Sequence, residues 1–127
     1  MDETKEIQEK ISFIKIYDPD GAARLERLLS KRETLKQGNL YCERFTDRQF
    51  SLVFIPLLDA AIERAKILEL LARREDTVPG LSERLNVDKD KVFKVIRELM
   101  RKNLVGITGH SERHAVFKIK TQPGIQH

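Results

Sequence analysis

The chain has 127 residues, which is enough for one compact domain with an extension and excludes two independent large cores. Apolar residues make up 40% of the chain and charged residues 35%, a balance that excludes an intrinsically disordered protein. The net charge of +4 is uneven: Met1 to Asn86 holds 15 Lys or Arg against 16 Asp or Glu, whereas Val87 to His127 holds nine against four. A local basic surplus is expected of a face that binds a polyanion, and the alternative is a solvated surface with an accidental asymmetry.

The N-terminal region predicts two helices. Glu3 to Ile16 places three isoleucines at helical spacing, although the alternation of apolar residues from Ile11 leaves a strand as the alternative. The segment from Asp18 to Gly21 is a turn or a helix start, and the amphipathic helix after it should end near Gly38 and Asn39. The acidic opening MDETKEIQEK lacks the layout of a secretion signal, so we expect a cytoplasmic protein.

A long helix is predicted to start at Thr46, which forms a capping-box pattern with Gln49. Its apolar stripe runs from Phe50 to Leu71. Pro56 lacks an amide donor and should kink or break the helix near Ser51 to Pro56, and a buried strand from Ser51 to Ile55 is the alternative. The uncharged stretch here is far shorter than the roughly 20 residues of a membrane span, so we expect no membrane partner. Cys42 is expected to be a buried apolar residue.

The second half of the chain, from Asp59, predicts an ordered series of elements. An amphipathic helix, AAIERAKILELLARRE, is followed by a loop from Asp76 to Val78, a short helix PGLSERLN and a longer basic helix DKDKVFKVIRELMRKN. Two helices joined by a tight turn, the second longer and basic, are typical of a helix-turn-helix. The β-prone runs LVGITGH and HAVFKIK then flank a polar tip from Gly109 to His114, which predicts a hairpin wing.

The spacing of apolar positions from Arg64 to Lys120 resembles that of the winged helix-turn-helix regulators of bacteria and archaea, including the ArsR and MarR types. The positions that carry the resemblance are Ile67, Leu68, Leu71, Leu81, Leu85, Val87, Val92, Ile96, Leu99, Leu104 and Val105. Asn103 stands where such families usually have glycine, and asparagine also tolerates the left-handed conformation that a helix end needs. The resemblance implies a prokaryotic, DNA-binding transcriptional regulator.

The resulting expectation is a mainly α fold. Residues 1–58 would form an N-terminal helical extension, residues 59–120 a winged helix-turn-helix with a three-helix core and a β-hairpin wing, and residues 121–127 a flexible tail. The apolar stripe from Phe50 to Leu71, with Ile7, Ile11, Ile14, Leu25 and Leu28, exceeds what one winged domain can cover, so we predict a homodimer. The extension would dimerise or hold a small-molecule effector, which the sequence does not identify.

The basic helix has a core side and an outer side. Val92, Ile96 and Leu99 share the core stripe with Val95, and the opposite side carries Asp90, Lys94, Arg97 and Arg101. Lys94 and Arg97 are long enough to reach base edges, whereas Lys89 and Lys91 in the first turn are placed to meet phosphates. Asp88 should cap the helix through its carboxylate. The alternative is that Asp90, Lys94 and Glu98 form ordinary ion pairs on a solvated helix.

Other residues qualify this picture. Phe93 stands where such regulators usually carry a small polar residue, and we expect it to pack with Met100 against the N-terminal helices, or else to mark a protein interface. In the wing, Arg113 and Lys118 are the candidate DNA contacts. His110 and His114 could in principle bind a metal together, but the chain lacks the paired cysteines of metal-sensing regulators. We therefore expect no metal and no cofactor.

No pattern of catalytic residues is evident in the sequence, and we expect no enzyme. The leading hypothesis is therefore double-stranded DNA binding by the basic helix and wing. The alternative is a winged-helix adaptor whose basic face meets an acidic protein in a larger complex and does not bind DNA.

Overall fold

The structure is a computed structural model that describes residues 2–32 and 47–120. These residues are mainly helical with one small antiparallel sheet, which confirms the expected mainly α class. The chain divides into two compact units between Ile62 and Glu63. The domain limits drawn from the sequence stay a prediction, and Cys42, Thr46 and the tail 121–127 lie outside the described residues.

The first unit begins with two helices, α1 (Asp2–Tyr17) and α2 (Pro19–Ser30). The helical interpretation of α1 is confirmed and the strand alternative is wrong. Asp18 separates the helices: it is buried, and its carboxylate accepts a hydrogen bond of 3.2 Å from the Gly21 amide, which caps α2. Helix α2 ends before the predicted stop at residues 38–39, because the Lys31 amide closes the last turn on the Leu28 carbonyl at 3.2 Å.

Helix α3 (Asp47–Arg73) runs through Pro56 without interruption. A break and the strand alternative are therefore wrong, whereas a kink at this position stays a prediction. The buried residues Phe50, Phe54, Leu58 and Ala61 lie three or four positions apart on one face, whereas Pro56 is exposed on another. The packing of that face stabilises the helix on both sides of the proline. No helix within residues 2–32 and 47–120 has the length and apolar character needed to cross a membrane.

The apolar residues that suggested a dimer are largely used inside the first unit. The buried positions there are Ile7, Ile11, Ile14, Ala22, Leu25, Phe50, Phe54, Leu58 and Ala61. The rings of Phe50 and Phe54 stack with their centroids 5.3 Å apart, and the Arg32 guanidinium lies 5.3 Å from the Phe50 centroid. Most of the apolar residues that suggested a dimer therefore form the core of the first unit.

The second unit contains the end of α3 and five further elements. They are β1 (Asp76–Thr77), α4 (Val78–Leu85), α5 (Lys89–Arg101), β2 (Val105–Ser111) and β3 (His114–Ile119). The strands form an antiparallel sheet in the order β1-β3-β2. The segment predicted as a loop from Asp76 is a strand, because Asp76 and Thr77 pair with Phe117 and Val116 of β3.

The core of the second unit lies between its helices and the sheet. Its buried residues are Ala65, Ile67, Leu68, Leu71, Leu81, Val92, Ile96, Leu99, Val105, Phe117 and Ile119. Helix α4 contacts α5 and the sheet, while α5 also contacts β2. This arrangement leaves one side of α5 and one side of the hairpin of β2 and β3 open to solvent.

Candidate nucleic-acid interface

A short, tightly bonded turn joins α4 to α5. The Thr77 hydroxyl accepts from the Gly80 amide at 3.2 Å and caps α4. At its other end, Asn86 takes a left-handed conformation with φ of 56°, and the Val87 amide donates to the Ser82 carbonyl at 3.1 Å. The Ser82 hydroxyl donates in turn to the Val87 carbonyl. These bonds fix the direction in which α5 leaves the turn.

Helix α5 is held by its apolar side. Val92, Ile96 and Leu99 are each at most 1% exposed, as the spacing predicted. Asp88 occupies the N-cap position, but its carboxylate makes no capping hydrogen bond, so that part of the prediction is wrong. The Asp88 side chain is exposed to solvent.

The end of α5 is closed by the left-handed residue that the sequence suggested. Asn103 has φ of 62°, and its amide donates to the Met100 carbonyl at 3.0 Å. The Leu104 amide reaches back to the Leu99 carbonyl at 2.9 Å, which completes a Schellman motif. Chain reversal at this point starts β2 and places the hairpin beside α5.

The outer side of α5 carries most of the candidate DNA contacts. Lys94, Arg97 and Arg101 are all exposed there, together with Asp90. The Arg97 guanidinium carbon lies 5.8 Å from the centroid of the Phe93 ring, within the range of a cation–π contact. This contact holds Arg97 close to the helix surface while leaving its donors open to a ligand.

One flank of α5 is joined to α3 by ion pairs. Lys91 Nζ lies 3.1 Å from a Glu63 carboxylate oxygen, and Glu98 Oε1 accepts from Arg64 Nη1 at 3.3 Å. Glu98 therefore pairs with α3, and not along its own helix as the alternative interpretation had it. Lys91 is still 58% exposed, but its charge is partly balanced before any phosphate approaches.

The wing is a hairpin with a shorter tip than predicted. Its strands continue to Ser111 and resume at His114, so the turn consists of Glu112 and Arg113 alone. These residues have φ of 49° and 72°, the left-handed pair found in type I′ hairpin turns. The pairing shifts by one residue between Ile107 and Gly109, which bends the strand. Lys118 is exposed on β3 and lies with Lys120 in a separate hollow of the hairpin.

A groove of about 310 Å³ separates the first turns of α5 from the wing. Apolar side chains form part of its lining, contributed by Val78, Pro79, Phe93, Ala115 and Phe117. Lys89, Arg113 and His114 also line it, as does Asp90. We call this feature the helix–wing groove. It brings together Lys89, which the sequence placed to meet phosphates, and Arg113, a candidate DNA contact of the wing, and it does not include Lys94, Arg97 or Lys118.

Phe93 and Met100 are both exposed, and their expected packing against the N-terminal helices stays a prediction. Phe93 is 48% exposed and Met100 is 38% exposed. Both residues lie on the flank of α5 opposite the ion pairs, where neither reaches the core stripe. The groove and the ion-pair partners Glu63 and Arg64 were missed by sequence reasoning, because both depend on which distant residues the fold brings to α5.

Metal-binding residues do not gather around the wing histidines. Within residues 2–32 and 47–120 there is no group of three His, Cys, Asp or Glu side chains placed to hold a metal ion. The comparisons with known proteins give no further guide, since no family model, curated protein or solved structure matches this chain.

Proposed function

We propose that this protein is a DNA-binding transcriptional regulator in which α5 enters the major groove of double-stranded DNA. The end of α3 with α4 and α5 would be the three-helix core of a winged helix-turn-helix, and β2 and β3 its wing. The order of these elements supports this proposal, as do the short turn between α4 and α5 and the sheet behind them. Such a regulator would act in the cytoplasm of a prokaryotic cell.

The observation that carries the proposal is the outer side of α5. Lys94, Arg97 and Arg101 are exposed on a helix whose opposite side is fully buried, so the fold presents cations on a rigid support. A helix of this kind fits the major groove, where Arg97 and Lys94 are long enough to hydrogen bond with guanine. Asp90 on the same side would disfavour a purely electrostatic, sequence-independent contact.

A homodimer belongs to the same proposal, with an interface that differs from the stripe seen in the sequence. In the first unit, α3 exposes 67% of Leu52, 51% of Val53 and 50% of Leu57 on one face, beside the exposed Pro56. The stretch from Gln49 to Leu58 has no charged residue, so two copies can meet there without like-charge repulsion. Two such chains would read half-sites about one helical turn apart.

The dimer is tested by placing a charge on this face. Leu52→Lys should convert a dimer into a monomer, measured by light scattering at micromolar concentration, while Ser12→Lys on the exposed side of α1 should leave the dimer intact. A wild-type protein that is monomeric under these conditions contradicts the dimer.

The DNA proposal is tested by selecting a preferred duplex from random sequences and measuring binding against salt. We expect affinity to fall along a log-log slope of several units, because each neutralised phosphate releases counterion. Arg97→Ala should cost about 1–3 kcal/mol on the preferred duplex and flatten the preference over random DNA. Arg24→Ala, the same change on the exposed side of α2, is the matched control. It should leave the affinity for the preferred duplex and the preference over random DNA unchanged.

An adaptor function is favoured by one observation, the half-exposed Phe93 beside Met100. Large apolar side chains on an otherwise charged helix are common in protein interfaces. Under this alternative the basic face meets an acidic protein, and duplex DNA shows no salt-dependent binding. The salt titration of the wild-type protein therefore separates the two functions.

A further inference from the structure

We propose that the outer edge of β2 is a docking site for a short extended segment of a partner protein, one in which acidic and apolar residues alternate. Strand β2 lies at one end of the strand order β1-β3-β2, and among residues 2–32 and 47–120 it pairs with β3 alone. One edge of β2 is therefore left without a strand partner in the described part of the chain. The proposal goes beyond DNA binding and does not rest on it.

The sequence of β2 leaves this edge poorly guarded. An edge strand directs every second amide and carbonyl outwards, and proteins commonly protect it with charged side chains or proline. Strand β2 has the sequence VGITGHS, which contains no Lys, Arg, Asp, Glu or proline. Its pairing with β3 shifts between Ile107 and Gly109. Such a bend hinders pairing with a long flat strand, whereas the residues before it can still pair with a short segment.

The face of the hairpin that contacts the core calls for apolar residues in the partner. Ile107 pairs with Phe117 of β3, so the two side chains lie on the same face. Phe117 is buried, whereas Ile107 is 51% exposed in the edge strand. A strand added beside β2 would place every second side chain on this face, next to Ile107. An apolar side chain there would cover the exposed part of Ile107.

The opposite face of the hairpin is basic. Gly106 pairs with Lys118, and Lys120 lies two positions further along the chain, so both exposed lysines are on the face away from Ile107. Because Gly106 has no side chain, Lys120 can extend across β2. Its Cε lies 2.7 Å from the place that a β-carbon of Gly106 would occupy, and its Nζ donates to Asn103 Oδ1 at 2.6 Å. The two lysines call for acidic residues between the apolar residues of the partner.

Charge and shape together favour an acidic, apolar segment over other occupants of the edge. A second copy of β2 would bring its own Lys118 and Lys120 to the same added sheet, and like charges on neighbouring strands oppose association. A nucleic acid would match the charge, but it cannot extend the ladder of backbone hydrogen bonds and would leave Ile107 exposed. An alternating segment pairs with the backbone, covers the isoleucine and neutralises the lysines at the same time.

The test uses the full chain and a blocked heptapeptide in which glutamate and valine alternate, measured by fluorescence anisotropy. We expect this peptide to bind about tenfold more tightly than a peptide of the same composition with its valines in one block, because only alternation matches both faces. N-methylation tests the backbone pairing. Methyl groups on one alternate set of amides should abolish binding, whereas methyl groups on the other set should be tolerated, since only one side of the peptide faces β2.

Variants of the protein localise the contact. Ile107→Ser should weaken binding of the alternating peptide about fivefold through the lost apolar contact, and Lys118→Gln or Lys120→Gln by up to about fivefold at low salt. Gly106→Ala should weaken binding as much as Lys120→Gln, because the new β-carbon displaces the flexible end of Lys120, and the two changes combined should have no larger effect. Lys66→Gln on the exposed side of α3 is the matched control. Circular dichroism checks that each variant is folded.

Hydrogen exchange of the β2 amides shows which element the peptide contacts. The alternating peptide should slow the exchange of outward-facing amides between Val105 and Ile107. Equal binding of the alternating and block peptides, tolerance of both N-methylated sets, or unchanged exchange in β2 would overturn the proposal. Exchange in β2 that slows with rising protein concentration in the absence of peptide would assign the edge to a second copy and would also overturn it.

Discussion

The ion pair between Lys91 and Glu63 makes a quantitative prediction about DNA affinity. Glu63→Gln preserves the shape of the side chain and removes the charge that lies 3.1 Å from Lys91 Nζ. The two side chains are 58% and 24% exposed, so the net contribution of the pair is roughly 0.2–1 kcal/mol after solvent screening. A phosphate that recruits Lys91 has to share or displace this carboxylate. Releasing Lys91 should therefore strengthen duplex binding by up to about fivefold, the equivalent of about 1 kcal/mol.

The assay is fluorescence anisotropy with a mixed-sequence duplex at about 50 mM salt, where surface charges are weakly screened. Glu63→Gln is measured alone and combined with Lys91→Ala, and Glu26→Gln on the exposed side of α2 supplies the same change of net charge as a control. We expect the gain in affinity to vanish when Lys91 is absent. An equal gain with and without Lys91, or no gain in either background, would refute the reasoning. The free energy of unfolding should fall by less than about 1 kcal/mol.

Two further predictions concern the turns that set the helix ends. Gly21→Ala should lower the free energy of unfolding, measured by urea denaturation, by about 1–2 kcal/mol. Alanine has the better helix propensity, but its β-carbon would collide with the buried Asp18 carboxylate that caps α2. A more stable variant would contradict this. Asn103→Gly should leave stability within about 0.5 kcal/mol, whereas Asn103→Ala should lower it by about 1–2 kcal/mol because φ at this position is 62°; equal stability of the two variants would contradict the left-handed assignment.

The elements of the second half were predictable because their signals are local. Apolar residues three or four positions apart place Val92, Ile96 and Leu99 on one side of a helix whatever that side contacts. The left-handed Asn103 follows from the same local chemistry. The two-residue strand β1 carries no such signal, since Asp76 and Thr77 become a strand only when β3 supplies the hydrogen bonds.

The charged contacts of α5 could not be predicted from its own sequence. Glu98 is four positions after Lys94, a spacing that favours a pair along the helix, yet it bonds to Arg64, which is 34 residues away. Arg64 has a side chain only 15% exposed, and a partly buried guanidinium gains more from a carboxylate than an exposed lysine does. Tertiary neighbours therefore decide which of several possible ion pairs forms.

The turn at the tip of the wing contains no glycine, and the sequence did not predict where it lies. Gly109 lies near the end of the first β-prone run, and the sequence placed the start of the polar tip there. The structure continues β2 through Gly109 to Ser111 and gives the left-handed positions to Glu112 and Arg113. Local propensity opposes this turn, but the pairing of His110 with Ala115 and of Ser111 with His114 lengthens the sheet up to it. The wing thereby presents the exposed Arg113 at its end, beside the helix–wing groove.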